Sequence, residues 1–182
     1  KAQWQAFSGR IEGDYSNAAF LDAFNYLGSN VHIGNLKPDS LQGDRVYKDY
    51  FRQISEGTPM LDISDCPDLG PILFALAAMK NGAVFTGTER LKAKESDRGL
   101  AMHEEMKKLG GGLIFGDNMI TVPKQNLQYQ GVPVSGHNDH RIAMALAVAG
   151  LISDGVMQIH GAECVAKSYP DFFEQLESIR EK

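Results

Sequence analysis

The chain has 182 residues, of which 43% are hydrophobic, and it carries a formal net charge of -5 with a pI near 5.5. That is enough chain for one sizeable core, and we expect a single domain over 1–182. The acidic balance speaks against a nucleic-acid footprint or a basic membrane surface, and leaves room for small anions held by placed cations. Cys66 and Cys164 form no CxxC pattern, so neither a zinc site nor a disulfide framework is expected, and a reducing cytoplasm fits best. The chain opens on Lys1 without a charged and apolar leader, which reads as a cut piece rather than a signal peptide.

Taken in chain order, three segments share one plan: an Asp, an Ala-rich apolar helix pattern, a glycine, then a short β-branched strand. They begin at Asp14 (DYSNAAFLDAFNYLGSNVHIGNL), Asp68 (DLGPILFALAAMKNGAVFTGTERL) and Asp139 (DHRIAMALAVAGLISDGVMQIHGAE), with Gly28, Gly82 and Gly155 as left-handed helix ends. About thirty residues after each opening Asp, a second one, Asp44, Asp97 or Asp171, begins another helix. Gly112 to Thr121 predicts a hairpin around Gly116 and Asp117. The longest apolar run, Ile142 to Ile152, has 11 residues against the roughly 18 of a membrane span, and predicts a buried helix.

Asp14 or Ser16, Asp68, Asp97, Asp139 and Asp171 are helix caps by default, because the first backbone N–H groups of a helix lack intrahelical partners. If quasi-equivalent units pack around a common axis, several such helix ends point one way and together favour an anion. The stretch RLKAKESDRG supports this, because it gathers cations where the helix dipole repels them. A helix starting near Lys94 would bring Lys94, Glu95 and Arg98 into its first turn, and an anion over that turn would reverse the penalty. Downstream, Met102, Met106 and Leu109 read as a buried stripe, His103 as a surface position, and Glu104, Glu105, Lys107 and Lys108 as solvated. Asp139, His140 and Arg141 enter an otherwise apolar helix, where an unpaired guanidinium is costly to bury. Lys167 precedes a helix start at about Pro170 and Asp171. His137 and His140 invite a metal reading, but no third ligand is near in the sequence, and no metal is expected.

RLKAKESDRG, CPDLGPILFALAA, NDHRIAMALAVAG and CVAKSYPDFFEQL, with the earlier IEGDYSNAAF and DSLQGDRVYKDYF, together resemble the C-terminal half of the 5-enolpyruvylshikimate-3-phosphate synthase (3-phosphoshikimate 1-carboxyvinyltransferase) family, from about Arg10 to Ile179. The resemblance implies a mixed α+β domain of pseudo-threefold βαβαββ repeats, an inside-out α/β barrel. It would be one of two domains facing a cleft, the N-terminal one lying outside this chain. It implies transfer of the enolpyruvyl group of phosphoenolpyruvate to the 5-hydroxyl of shikimate 3-phosphate, with release of phosphate and no cofactor. Matched by position, Asp68 takes the role of proton acceptor at the attacking hydroxyl and Glu95 that of acid/base at the methylene carbon. Lys94 matches a substrate contact, Arg98 and Arg141 the guanidinium pair on the enolpyruvate carboxylate, and Lys167 a further cation. Arg90 stands where the family often has Asn, and the connector between Asp44 and Asp68 is short for a hairpin, so one unit is expected to be trimmed. Without the family's first half, with its glycine-rich phosphoenolpyruvate loop, the chain alone is expected to be inactive. The alternatives are a UDP-sugar enolpyruvyl transferase, against which KESDR and NDHR speak, and a noncatalytic anion-binding domain.

Overall fold

The computed structural model describes residues 8–151 and 156–180. The first unit consists of helix α1 (Tyr15–Tyr26) and helix α2 (Tyr47–Glu56), joined through a short 3-10 turn at Gly43–Val46. Asp14 caps α1 as expected, its Oδ1 accepting from the backbone N–H of Ser16 at 2.8 Å and of Asn17 at 3.3 Å. No strand forms in this unit among the described residues. The reason is local: the Asn25 side chain accepts from the backbone N–H of Val31 and donates to its carbonyl, which removes both groups from any ladder. Asn35, at φ 61°, then breaks the extended run.

The middle unit is complete. Strand β1 (Met60–Asp62) follows α2 with no hairpin between them, as the short connector predicts, and leads through a 3-10 turn at Pro67–Leu69 into helix α3 (Gly70–Met79). Strand β2 (Ala83–Thr86), helix α4 (Arg98–Lys108) and the hairpin of β3 (Ile114–Gly116) and β4 (Met119–Val122) complete it. The sheet order is β1-β2-β4-β3, with Leu61 beside Phe85 in the parallel pair and Phe85 opposite Ile120 in the antiparallel one. The hairpin turns at Asp117 and Asn118, where Asn118 takes φ 46°, a conformation Asn tolerates better than most residues.

The third unit keeps the order with less sheet: β5 (Val134–Ser135), helix α5 (His140–Gly150), β6 (Ile159–His160) parallel to β5, and helix α6 (Phe172–Arg180). Gly28 and Gly82 adopt the expected left-handed conformation, at φ 105° and 79°, whereas Gly155 lies outside the described residues. At Gly82 the need is strict, since its N–H closes α3 on the Ala77 carbonyl at 2.8 Å and a Cβ would stand 2.7 Å from the Val122 carbonyl oxygen.

Helices α3 and α5 run side by side through the centre, nearly every residue of both buried, with α1, α2 and α4 packed around them. This layout explains their sequences. Ala and other small or aliphatic residues on all faces let neighbouring backbones approach closely, and a helix apolar all round has to be interior. Phe74 and Phe85 lock α3 to the sheet edge-to-face at 5.1 Å, and Tyr47, Phe51 and Tyr26 do the same between α1 and α2.

Candidate active site

The central helices bring their amino ends together, and the charged residues of the sequence motifs lie there. Asp68 sits in the 3-10 turn before α3, and its side chain caps nothing. Its Oδ1 lies 2.9 Å from Lys94 Nζ and 2.7 Å from Arg98 Nη1, and its Oδ2 lies 3.6 Å from Arg141 Nη2. Three cations from two segments thus meet on one carboxylate.

Arg98 is not where a helix starting at Lys94 would place it. Residues Thr88–Ala93 form a 3-10 stretch, Lys94 is extended, and α4 begins only at Arg98, capped by Asp97 through the N–H of Leu100 at 3.1 Å. Lys94 and Glu95 therefore lie in the loop before the helix, and Arg98, 1% exposed, reaches inward. Its Nε donates to Asp139 Oδ2 at 2.8 Å, its Nη1 to Asp68 and its Nη2 to Glu95 Oε2 at 2.7 Å. The anions that offset the cations at this helix start are thus the protein's own carboxylates.

Asp139 is fully buried and serves two elements. It accepts from Arg98 and from the Ser96 hydroxyl at 3.0 Å, and its Oδ1 caps α5 by accepting from Arg141 N–H at 2.9 Å. Arg141 is the contrasting case. It is buried at the start of α5, its guanidinium 5.9 Å over the Phe20 ring of α1, yet its Nε and Nη1, like Nδ1 of His140, have no hydrogen-bond partner among the described residues. Buried donors left unpaired are uncommon in folded proteins and call for an explanation. Lys167 closes the other side, its Nζ donating to the Asn138 carbonyl at 2.7 Å and to Asn138 Oδ1 at 2.8 Å. Arg90 lies at the edge and donates to the Ser64 carbonyl at 2.6 Å.

The electrostatics follow from these contacts. Burial alone would raise the Asp68 carboxyl, but the Lys94 hydrogen bond and the Arg141 and Arg98 charges outweigh it and hold the group at about 2. Asp139 is likewise held low, because Arg98 and the Arg141 N–H more than offset its desolvation. Asp44 goes the other way: burial and the nearby Asp68 charge raise its carboxyl, with Arg141 opposing. Burial and the Arg141 charge both depress the His140 imidazole, which favours the neutral form.

The sequence reading placed Glu105 on a solvated face, and the structure corrects this. Glu105 is 1% exposed and accepts from Lys108 Nζ, from Ser135 N–H at 2.8 Å and from His137 Nε2 at 2.7 Å. Burial would raise its carboxyl, and these partners hold it low instead. Its i+3 spacing to Lys108 was visible in the sequence; its approach to His137 was not. Glu104, Glu105 and His137 offer ligand atoms within 4.8 Å of one another, so His137 does have acidic neighbours, but the Lys108 ammonium already bonds both oxygens of Glu105. His140 points elsewhere, 3.9 Å from Glu95. His103 is half-buried rather than on the open surface, and its Nδ1 accepts from Leu113 N–H at 3.0 Å.

The fold and this cluster define an α+β domain in which the amino ends of α3, α4 and α5 meet around Asp68 with two buried guanidinium groups and the Lys94 ammonium. A family model described as EPSP synthase (3-phosphoshikimate 1-carboxyvinyltransferase) matches residues 1–176. The chain belongs to the EPSP synthase family. It is 37% identical over 186 residues to the 3-phosphoshikimate 1-carboxyvinyltransferase of Clostridium acetobutylicum, a match covering 93% of this chain and 43% of the relative. It is 40% identical over 187 residues to the enzyme of that name from Clostridium kluyveri, with the same coverage of 93% and 43%. Its fold is similar to the solved EPSP synthase from Acinetobacter baumannii, with a TM-score of 0.57 and 25% identity over 93% of this chain and 40% of that one. The chain thus spans less than half the length of these relatives. Among the described residues, no helix is long and apolar enough to cross a membrane.

Proposed function

We propose that this chain forms one wall of an enolpyruvyl transferase that moves the enolpyruvyl group of phosphoenolpyruvate to the 5-hydroxyl of shikimate 3-phosphate and releases phosphate. The other wall comes from the missing N-terminal domain. The observation that carries the reading is Arg141, a buried guanidinium with two unpartnered nitrogens beside Asp68 at the start of α5. A planar fork of donors suits a carboxylate, which it bonds in bidentate fashion.

In this reading Arg141, with its two unpaired nitrogens, receives the enolpyruvate carboxylate, and Arg98 joins it by exchanging its bond to Asp68 for one to the ligand, with Lys94 and Lys167 as further cations. Binding draws Arg98, Arg141 and Lys94 off Asp68, and a carboxylate relieved of its cations becomes more basic. Asp68 then accepts the proton of the 5-hydroxyl as its oxygen bonds to C2 of the enolpyruvyl group. Glu95 delivers a proton to the methylene carbon, giving a tetrahedral intermediate. Return of a proton from that carbon to Glu95, with breakage of the C2–O bond to phosphate, which leaves with the proton held by Asp68, restores the carbon–carbon double bond and gives the enol ether. Positioned acids and bases contribute roughly 100- to 10,000-fold each to such steps, and fixed cations and helix ends offset the negative charge. The two cysteines are free thiols, in keeping with a cytoplasmic enzyme.

Phosphate release from the two substrates tests this. The chain alone is expected to be silent, and addition of the N-terminal half of a relative to restore turnover that Asp68→Ala or Glu95→Ala abolishes. Full activity of the chain alone, or turnover that survives both substitutions, would overturn it.

A further inference from the structure

Gly136 to Asn138 joins β5 to α5 and aims Asp139, His140 and Arg141 at the cluster. His137 and Asn138 both take positive φ, 50° and 55°, and neither is glycine. Consecutive left-handed residues of this kind are held by their surroundings rather than by their own preference.

The surroundings are specific. Glu105 of α4 accepts from His137 Nε2 at 2.7 Å and from the N–H of Ser135 at 2.8 Å, gripping the turn at its entry and its first left-handed residue. Lys108, one turn further along α4, bonds both Glu105 oxygens at 2.7 and 2.9 Å and fixes the carboxylate in place. On the far side Lys167 holds both oxygens of Asn138. Inside the turn, Asp139 N–H donates to the Gly136 carbonyl at 2.8 Å. Arg98, which engages Asp139, is the first residue of the helix that carries Glu105, so α4 contacts the α5 entrance at two points.

We propose that Glu105 is a positioning residue: through His137 and Ser135 it holds the left-handed turn that sets Arg141 and the amino end of α5 in the geometry of the anion site. Identification of that anion with phosphoenolpyruvate rests on the function proposed above; the clamp itself does not.

The test is amide hydrogen exchange followed by NMR on the isotope-labelled chain, with the buried amides of α3 as internal reference. Glu105→Gln and His137→Ala should each speed exchange at Asp139 and Arg141 by roughly tenfold while α3 is unchanged. His137→Gln, which keeps a donor for Glu105, should stay near the parent. Unchanged exchange in the turn, or acceleration equal to that of α3, would overturn the clamp. Calorimetric titration with phosphoenolpyruvate separates the two readings. With the N-terminal half of a relative present, roughly tenfold weaker binding in Glu105→Gln supports both, whereas a loosened turn in a chain whose parent form, combined in the same way, does not bind phosphoenolpyruvate leaves the clamp standing and rejects that ligand.

Discussion

Arg98 Nε stands 2.8 Å from Asp139 Oδ2, and the two side chains are 1% and 0% exposed, so the pair that ties α4 to the start of α5 is closed off from water. Removing one partner of such a pair strands the other charge in the interior. Arg98→Ala is therefore expected to destabilise the fold by about 3–5 kcal/mol, measured as the shift in urea-unfolding free energy. Arg98→Lys should recover little, because an ammonium cannot reach Asp139, Asp68 and Glu95 together.

Arg141 behaves oppositely. Two of its guanidinium nitrogens have no partner, so the folded chain gains little from them and bears their desolvation. Arg141→Met is expected to leave the unfolding midpoint unchanged or raised, while calorimetry with phosphoenolpyruvate in the presence of the N-terminal half of a relative shows at least about tenfold weaker binding. A large loss of stability would mark Arg141 as structural.

Asp68 supplies a pH signature. Its folded carboxyl is held at about 2, below the ordinary 3.8, so unfolding takes up a proton in acid. The stability from this group is fully present above the ordinary carboxylate value and is lost as pH falls from about 4 to about 2. Asp139 and Glu105, also held low, add to the same acid slope. Urea midpoints measured across that range should fall less steeply for Asp68→Asn than for the parent chain.

Much of the scaffold was legible because its signals are local. The caps at Asp14, Asp97 and Asp139 act on backbone N–H groups two or three residues away, and the sequence shows them directly. The all-round apolar pattern of α5 announced its burial. The strand expected after α1 was lost to Asn25, whose side chain bonds both backbone groups of Val31, a competition that composition does not reveal. The solvated reading of Glu105 failed because its burial depends on a turn that arrives from 32 residues away.

By itself the sequence determined which helices form and which charged residues gather near their amino ends, since capping and periodicity act within a turn or two of helix, but it set the start of α4 near Lys94 where the structure has it at Arg98. It could not say how those charges pair. Arg98 meets Asp68 across 30 residues and Asp139 across 41, and packing of α3, α4 and α5 alone decides that Arg98 is saturated by carboxylates while Arg141 keeps unpaired donors. Coulomb and hydrogen-bond energies depend on distance in space and on burial, and neither is set until the helices have packed.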